Sequence, residues 1–273
     1  MTGIAASLRF LLSDLTGADD CAPPAVPNDI PAALQPVVAE AIARLIAYQG
    51  PSYAQLYLQR LHRFSRRRDV DAALLGAIAR LMVQRMCYDD PIHIAQRHLL
   101  GARDGVVAEE RHHFLLDELV GALPGKIGRP LLLCFERTGW MRLLIAMRFC
   151  ADGRVGRQRL RLQAGLRRWR LFSVRYGIER AWVERWLHMI DRSLTRQPVA
   201  AMSVAETATM IQGSGEAYRR GLADWHVLID RLVKPVLDGG LALPDLAAAV
   251  AEVRADNVEQ AVLRIRARVD AGG

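Results

Sequence analysis

The chain has 273 residues, of which 51% are hydrophobic, and its formal net charge is +8 at pH 7. A chain of this length and apolar content buries a substantial core, which excludes a peptide or a disordered protein. No run of about 18 uncharged apolar residues occurs, which argues against a membrane-spanning helix.

The first half of the chain predicts a series of amphipathic helices. Apolar residues recur with the i, i+3, i+4, i+7 spacing of a helix that buries one face. Gly50 and Pro51 separate the first two helices, and Asp90 followed by Pro91 is typical of an N-cap and the first helical position. The predicted helices begin near Leu34, Ser52, Asp69 or Asp71, Asp90 and Glu109, and the last of them extends to Val120.

The second half predicts longer helices, and strand-like alternation is nearly absent. These helices cover Arg137 to Phe149, Gln158 to Tyr176, Ile178 to Leu194, Val199 to Ile211, Ala217 to Leu237 and Val258 to Val269. We therefore expect an all-α fold: a flexible lead-in at residues 1–30, a multi-helix globular domain at residues 31–237 and a C-terminal helical appendage at residues 238–273. The side chains expected in the core include Leu45, Leu58, Leu81, Leu119, Leu166 and Trp186.

Cysteine and histidine patterns do not indicate a metal centre. The four cysteines (Cys21, Cys87, Cys134 and Cys150) are scattered, and neither His93 with His98 nor His112 with His113 has ligand spacing. Asp89 and His93 lie four residues apart at a helix start, which is compatible with a shared metal but more typical of a surface pair beside an N-cap. The first residues lack the features of a signal peptide, so we expect reduced thiols in the cytoplasm.

Two further patterns have a structural and a functional interpretation. The glycines Gly213, Gly215 and Gly221 are compatible with a phosphate cradle, but no strand precedes them and their spacing fits no known fingerprint, which favours a helix break and restart. Trp182, Trp186, Met189 and Ile190 recur with helical spacing, and we interpret this stripe as core.

The positive charge is concentrated in one segment. Residues Arg154 to Arg175 contain eight arginines and no acidic residue. Leu162, Leu166, Trp169 and Phe172 form an apolar stripe along the same predicted helix. Such a helix binds an acidic protein, a phosphate-bearing ligand, nucleic acid or an anionic membrane, or it is merely a solvated face. No nucleic-acid motif accompanies it, so nucleic acid is the weakest of these partners. The candidate contact residues are Arg157, Arg161, Arg167, Arg168, Arg170 and Arg175.

Several stretches occur in the order found in a known enzyme family. They read RLIAYQGPSYAQLYLQRL from Arg44, MCYDDPIHIAQ from Met86, LPGKIGRPLL from Leu123, LQAGLRRWRLFSVRYGIERAWVERWL from Leu162 and IQGSGEAYRRGLADWHVLIDRL from Ile211. Together they resemble the C-terminal helical region of the beta chain of indolepyruvate:ferredoxin oxidoreductases, a domain of unknown function in those enzymes. The positions that carry the family motifs here are Gln49, Tyr53, Tyr57, Asp89, Asp90, Gly213, Gly215, Glu216, Arg220 and Gly221.

The resemblance implies a role beside a catalytic chain. Those oxidoreductases convert aryl-2-oxo acids to acyl-CoA thioesters with thiamine diphosphate and iron–sulfur clusters, which a larger alpha chain carries. The N-terminal α/β domain of the beta chain has no counterpart in this sequence. Family members read like KGYGDTHxRG where this chain reads QGSGEAYRRG, so Glu216 stands where aspartate is usual.

The sequence leads to two principal hypotheses. The first is an accessory or assembly subunit of an indolepyruvate-type 2-oxoacid oxidoreductase, which has no catalytic residue, cofactor or metal of its own and contacts an alpha-type catalytic subunit or another acidic protein. The second is a divergent stand-alone helical protein that binds an anionic ligand (a CoA-type molecule, phosphate or nucleic acid) through the arginine-rich face. An independent enzyme is a third, less favoured reading.

Overall fold

The computed structural model describes residues 22–103 and 109–272, and these residues are predominantly helical, which confirms the predicted fold class. The α-helices are α1 (Gln35–Tyr48), α2 (Pro51–Ser65), α3 (Ala72–Met86), α4 (Pro91–Arg103), α5 (Leu116–Gly121), α6 (Gly125–Thr138), α7 (Gly153–Gly165), α8 (Val174–Arg196), α9 (Ala201–Glu206), α10 (Gly215–Leu228), α11 (Lys234–Asp238), α12 (Leu246–Ala255) and α13 (Val258–Gly272). The strands are β1 (Glu109–Leu115) and β2 (Leu144–Cys150). Short 3-10 turns and a π-helical turn at Ile229–Val233 join several of them. Most of the predicted lead-in (residues 1–21) lies outside the described residues.

The predicted break between the first two helices is present. Gly50 has a φ of 143°, a region that favours glycine, and α2 starts at the next residue, Pro51. No helix in the described part of the chain combines the length and the apolar content needed to cross a membrane.

The expectation that strands are absent is wrong at one place. Strands β1 and β2 form an antiparallel two-stranded sheet, with Glu110 opposite Phe149 and His112 opposite Met147. The predicted helices Glu109 to Val120 and Arg137 to Phe149 are therefore incorrect over these residues. A short apolar run such as β2 fits a helix as well as a strand, and only its pairing with a distant segment decides between them.

The arginine-rich segment also departs from its prediction as one continuous helix. It divides into α7, a 3-10 helix at Leu166–Phe172, and the start of α8. Ser173 has extended backbone, and its side-chain oxygen accepts a hydrogen bond from the Tyr176 N–H at 3.1 Å, which caps α8. Gly177, which separates the predicted helices Gln158 to Tyr176 and Ile178 to Leu194, lies inside α8.

The chain divides into two compact units. Among the described residues, unit 1 comprises 22–25, Ile42–Leu56 and Met86–Ala181, without 104–108, and unit 2 comprises Val26–Ala41, Tyr57–Arg85 and 182–272. The sheet of unit 1 packs with α4 and α7 around a small core formed by Ile94, Ala95, Phe114, Phe149, Ala151 and Leu160.

Unit 2 has a core rich in tryptophan. Trp182, Trp186, Met189 and Ile190 are all buried, as the helical stripe predicted. The indole nitrogen of Trp186 donates a hydrogen bond to the Ala205 carbonyl at 3.0 Å, and that of Trp225 donates to the Thr207 hydroxyl at 3.0 Å.

The individual core predictions have mixed outcomes. Leu45 and Trp186 are fully buried, whereas Leu58, Leu81 and Leu119 are half-buried. Leu166 is 48% exposed, so its assignment to the core is wrong. Leu166 belongs to the arginine-rich segment, and its side chain faces solvent instead of the core.

Candidate functional site: a buried arginine and an exposed basic helix in unit 1

A buried arginine connects distant segments of unit 1. Arg170 is only 2% exposed, and its Nε and Nη2 atoms donate to the two carboxylate oxygens of Asp90 at 2.7 and 3.1 Å. Its Nη1 atom donates to the Tyr48 carbonyl and to Oε1 of Gln49, both at 2.9 Å. The guanidinium carbon lies 3.9 Å from the centre of the Tyr48 ring, within cation–π range.

This arrangement satisfies the charge of Arg170 inside the protein. Burial by itself lowers the pKa of the guanidinium, but the surrounding Tyr48 and Asp90 outweigh that effect and raise the pKa above its ordinary value. Arg170 therefore stays charged, and its role is structural. The prediction that it belongs to an exposed contact surface is wrong, because sequence periodicity does not reveal a partner 80 residues away.

The motif positions near Arg170 belong to the same network. Gln49 is buried and donates its side-chain N–H to the Arg167 carbonyl at 3.0 Å, and Tyr53 donates its hydroxyl to the Met86 carbonyl at 3.1 Å. Three of the stretches quoted in the sequence analysis thus meet at one buried point. In this structure they hold unit 1 together.

The predicted N-cap at Asp90 is confirmed. Its Oδ1 atom accepts the backbone N–H of His93 at 2.6 Å, so one carboxylate both caps α4 and pairs with Arg170. Asp89 is exposed, and its Oδ1 atom lies 3.9 Å from Nε2 of His93, which fits the surface pair expected as the structural interpretation.

Arg175 is also engaged internally. It is half-buried and its Nε atom donates to Glu179 at 3.0 Å, one turn further along α8. Glu184, the other acidic residue considered as an internal partner, instead pairs with Arg60 and Arg63 of unit 2. Two of the eight arginines therefore do not contribute to an open surface.

The other six arginines of the segment differ in this respect. No carboxylate of the residues that the structure describes lies within 4.0 Å of their guanidinium nitrogens. Arg157 donates from Nε to the Gly153 carbonyl at 3.1 Å, which engages a backbone oxygen only. All are exposed except Arg167, which is half-buried. They are Arg154, Arg157, Arg159, Arg161, Arg167 and Arg168.

Apolar side chains accompany these arginines on the outer face of α7. Leu160 packs inward, while Val155 and Leu162, on the opposite side, are 84% and 67% exposed. Leu166 and Trp169 continue the exposed apolar stripe. Three of the four predicted stripe residues, Leu162, Leu166 and Trp169, face solvent, whereas Phe172 is half-buried. Leu160 provides the inward contact of α7 instead. We call Val155, Leu162, Leu166 and Trp169, with the six arginines, the α7 face.

A groove lies beside this face within unit 1. Its volume is about 520 Å³. The side chains that line it include Gln96 and Leu100 of α4 and the three arginines Arg161, Arg167 and Arg168. Three cationic groups around one concave surface are suited to an anion.

The remaining motif positions lie in unit 2. Gly213 and Gly215 have φ values of 72° and 61°, and α10 starts at Gly215, which supports a helix break and restart. A Cβ at Gly221 would lie 2.3 Å from the Met210 carbonyl oxygen, so this position needs glycine for close packing. Glu216 and Arg220 are exposed on α10.

Tyr57 is buried in unit 2 as a core residue. Its hydroxyl donates to the Ala79 carbonyl at 3.3 Å, and burial raises its pKa. A satisfied, desolvated phenol of this kind stabilises the fold and does not indicate acid–base chemistry.

Comparison with known proteins assigns the chain at the level of family. Residues 34–231 match a family of unknown function, DUF6537. The chain belongs to this family. No curated protein and no solved structure matches it.

The matched region contains both the Arg170 network and the α7 face, whereas α11, α12 and α13 lie beyond it. The family description assigns no activity, so a functional proposal depends on the geometry of these residues and on the sequence resemblance.

Sequence reasoning missed one further group of polar side chains. His98, Glu110 and His112 converge in unit 1, whereas the sequence analysis compared only His93 with His98 and His112 with His113. Glu110 and His112 lie on the same face of β1 because they are two residues apart on a strand. The i, i+2 pairing in EERHHFL was the available signal, and it has meaning only if the segment is a strand.

Proposed function

We propose that this chain is a non-catalytic accessory or assembly subunit of an indolepyruvate-type 2-oxoacid ferredoxin oxidoreductase. It acts in the cytoplasm and contacts the catalytic subunit through the α7 face. The thiamine diphosphate and the iron–sulfur clusters belong to that catalytic subunit. The enzyme class rests on the resemblance of the quoted stretches to the oxidoreductase beta chain.

The observation that carries the contact role is the composition of the α7 face. Tryptophan and arginine are enriched at protein–protein interfaces, and the buried centre of an interface is more apolar than the rest of a protein surface. Trp169 is 58% exposed, which is unusual for so large an apolar side chain unless another surface covers it.

Electrostatics indicate the character of the partner. Arg154 and Arg157 lie in the first turns of α7, where the helix dipole is positive, and that turn contains no acidic residue. The unpaired charges repel one another and the dipole, so an acidic surface placed against them relieves an existing repulsion. The partner surface is therefore acidic around an apolar centre.

A kinetic experiment tests the electrostatic part of this proposal. The probe is the thiamine diphosphate-dependent alpha chain of an indolepyruvate:ferredoxin oxidoreductase, and its association with this chain is measured at several salt concentrations. The double variant Arg161→Gln/Arg168→Gln should lower the association rate by about tenfold at low salt, with the difference shrinking as salt screens the charges.

The matched control is Arg66→Gln/Arg68→Gln. Arg66 and Arg68 are exposed in unit 2, and the control changes the net charge by the same amount. Equal loss in both variants, or no association of the wild-type chain with the catalytic chain, would contradict the proposal.

The groove of unit 1 favours a second candidate function, the binding of a CoA-type anion. CoA carries phosphates that suit Arg161, Arg167 and Arg168, and its apolar parts suit Leu99 and Leu100. Titration calorimetry with CoA tests this candidate. Leu162 belongs to the α7 face but does not line the groove. The variant Leu162→Ser should therefore leave the affinity for CoA unchanged and lower the affinity for a protein partner.

A further inference from the structure

Two histidines and a glutamate of unit 1 form a compact cluster. The Nε2 atom of His98 lies 3.0 Å from Oε2 of Glu110, and Nε2 of His112 lies 2.7 Å from Oε1 of the same carboxylate. One possible ligand atom from each residue can be chosen so that all three lie within 4.8 Å of one another.

The elements that carry these residues place them independently. His98 projects from α4, whereas Glu110 and His112 project from one face of β1. Phe149, on the paired strand, is fully buried and stacks on the His98 ring with a centroid separation of 5.9 Å, and its edge contacts the His112 ring at 5.6 Å. Both imidazoles are therefore held in position by packing.

One nitrogen of the cluster is not satisfied by hydrogen bonding. Nε2 of His112 is buried and makes no hydrogen bond with the described residues, even though a carboxylate oxygen is close, because the geometry is unsuitable. The close contact with Oε1 of Glu110 at 2.7 Å places this nitrogen beside a carboxylate, and an imidazole nitrogen and a carboxylate oxygen side by side are a usual pair of zinc ligands. A cation between the three side chains would accept the lone pair of that nitrogen.

The chemistry of the donors selects the type of ion. Neutral imidazole suits zinc and other transition metals, and two histidines with one carboxylate are a common set of three protein ligands for zinc. In a tetrahedral zinc site the nitrogen ligands lie about 3.4 Å apart, given Zn–N bonds of about 2.0–2.1 Å. The three chosen ligand atoms lie within 4.8 Å of one another, which is close to this spacing.

We propose that His98, Glu110 and His112 bind one Zn²⁺ ion, with the fourth coordination position open to solvent. This site replaces the sequence-based expectation that the chain has no metal ligands. It joins α4 to β1 and so stabilises unit 1 beside its small core. It is independent of the proposed role in an oxidoreductase.

The positive charge of Arg97 lies close to the proposed zinc site and opposes metal binding, so removing this charge should change the zinc affinity. Its Nη2 atom lies 3.7 Å from Oε2 of Glu110, and its side chain is half exposed. A positive charge at this distance weakens the site for a second cation. Arg97→Gln should therefore bind zinc more tightly than the wild-type chain.

Calorimetric titration of the metal-stripped full-length chain with Zn²⁺ tests the site. We expect one equivalent of zinc to bind, His98→Gln and His112→Gln each to lower the affinity at least about tenfold, and Arg97→Gln to raise it several-fold. His113→Gln is the matched control, because His113 is the exposed neighbour of His112 on the other face of β1.

The outcomes separate a zinc site from a purely structural cluster. A tighter Arg97→Gln variant supports the site, since misfolding does not increase affinity. Absence of zinc binding by the wild-type chain, or equal loss in His113→Gln and His112→Gln, would overturn it. Substitution with Co²⁺ provides a second readout, because a tetrahedral site gives intense visible absorption that the His98→Gln variant should lack.

Discussion

The two units of this chain use similar residues in different ways. Of the fourteen large apolar side chains that are exposed among the described residues, twelve belong to unit 1 and only Val199 and Leu263 to unit 2, although the units are of similar length. In unit 2, several arginines pair with carboxylates, such as Arg60 with Glu184 at 2.8 Å and Arg254 with Glu206 at 2.6 Å.

The α7 face of unit 1 differs from unit 2 both in its apolar side chains and in its arginines. Its apolar residues are uncovered, and its six arginines have no carboxylate partner in the described part of the chain. Arginine content alone therefore does not identify a contact surface in this protein. What distinguishes a contact surface is arginine without an internal partner, next to apolar side chains that nothing in the described residues covers.

The largest expected effect distinguishes the two kinds of arginine within unit 1. Arg170→Gln removes one partner of a buried ion pair and leaves Asp90 uncompensated, so the free energy of unfolding should fall by about 3–5 kcal/mol. Arg168→Gln, two residues away and exposed, should change it by less than about 0.5 kcal/mol. Urea unfolding followed by circular dichroism measures both, and similar values would show that the Arg170 network does not hold unit 1 together.

Leucine truncation extends the comparison to apolar residues. Leu228 of unit 2 is fully buried, so Leu228→Ala should lower the free energy of unfolding by about 2–5 kcal/mol. Leu162→Ala on the α7 face should lower it by less than about 0.5 kcal/mol. A large loss in Leu162→Ala would mean that the α7 face is covered within the chain, contrary to our account.

Alanine substitutions at two glycines should change the free energy of unfolding by smaller amounts and in opposite directions. Gly221→Ala forces a methyl group against the Met210 carbonyl and should lower the free energy of unfolding by about 1–3 kcal/mol. Gly177→Ala, in the interior of α8 with open space around its Cβ position, should raise it by about 0.5–1 kcal/mol. Thermal unfolding compares them. A neutral Gly221→Ala would remove the packing explanation for this motif position.

The smallest effect concerns pH. Burial lowers the pKa of His93 and Arg170 lowers it further, while Asp89 and Asp90 partly oppose them. Because the unfolded chain then binds more protons than the folded chain, this histidine destabilises the protein as the pH falls below the ordinary value of 6.5. The variant His93→Gln should show a shallower loss of stability between pH 7 and pH 5, with exposed His188→Gln as the control.

Local sequence rules predicted the features that depend on local physics. The helix that starts at Pro91 with Asp90 as its cap, the break at Gly50 and the buried tryptophan stripe all follow from spacing and backbone preference. These interactions involve residues within a few positions of one another, so the local sequence is enough to predict them.

The errors share a different origin. The β1–β2 sheet pairs residues about thirty to forty positions apart, and the Arg170 network joins residues from segments up to 122 positions apart. Neither the strand identity of residues 109–115 nor the burial of an arginine can be read from a local pattern. The prediction that the apolar stripe of the arginine-rich segment is buried was wrong for the same reason. Leu160 points inward because α4, which is distant in sequence, and β2 pack against α7.

The most direct test is whether the apolar centre of the α7 face binds the catalytic alpha chain of the oxidoreductase. The affinity of that chain for Leu162→Ser/Trp169→Ser should fall at least about tenfold relative to wild type, because truncated interface hot spots typically cost more than about 1 kcal/mol each. The matched control Val199→Ser/Leu263→Ser changes two exposed apolar residues of unit 2 and should leave the affinity unchanged. Unchanged affinity in the α7 variant, or an equal loss in the control, would contradict the account.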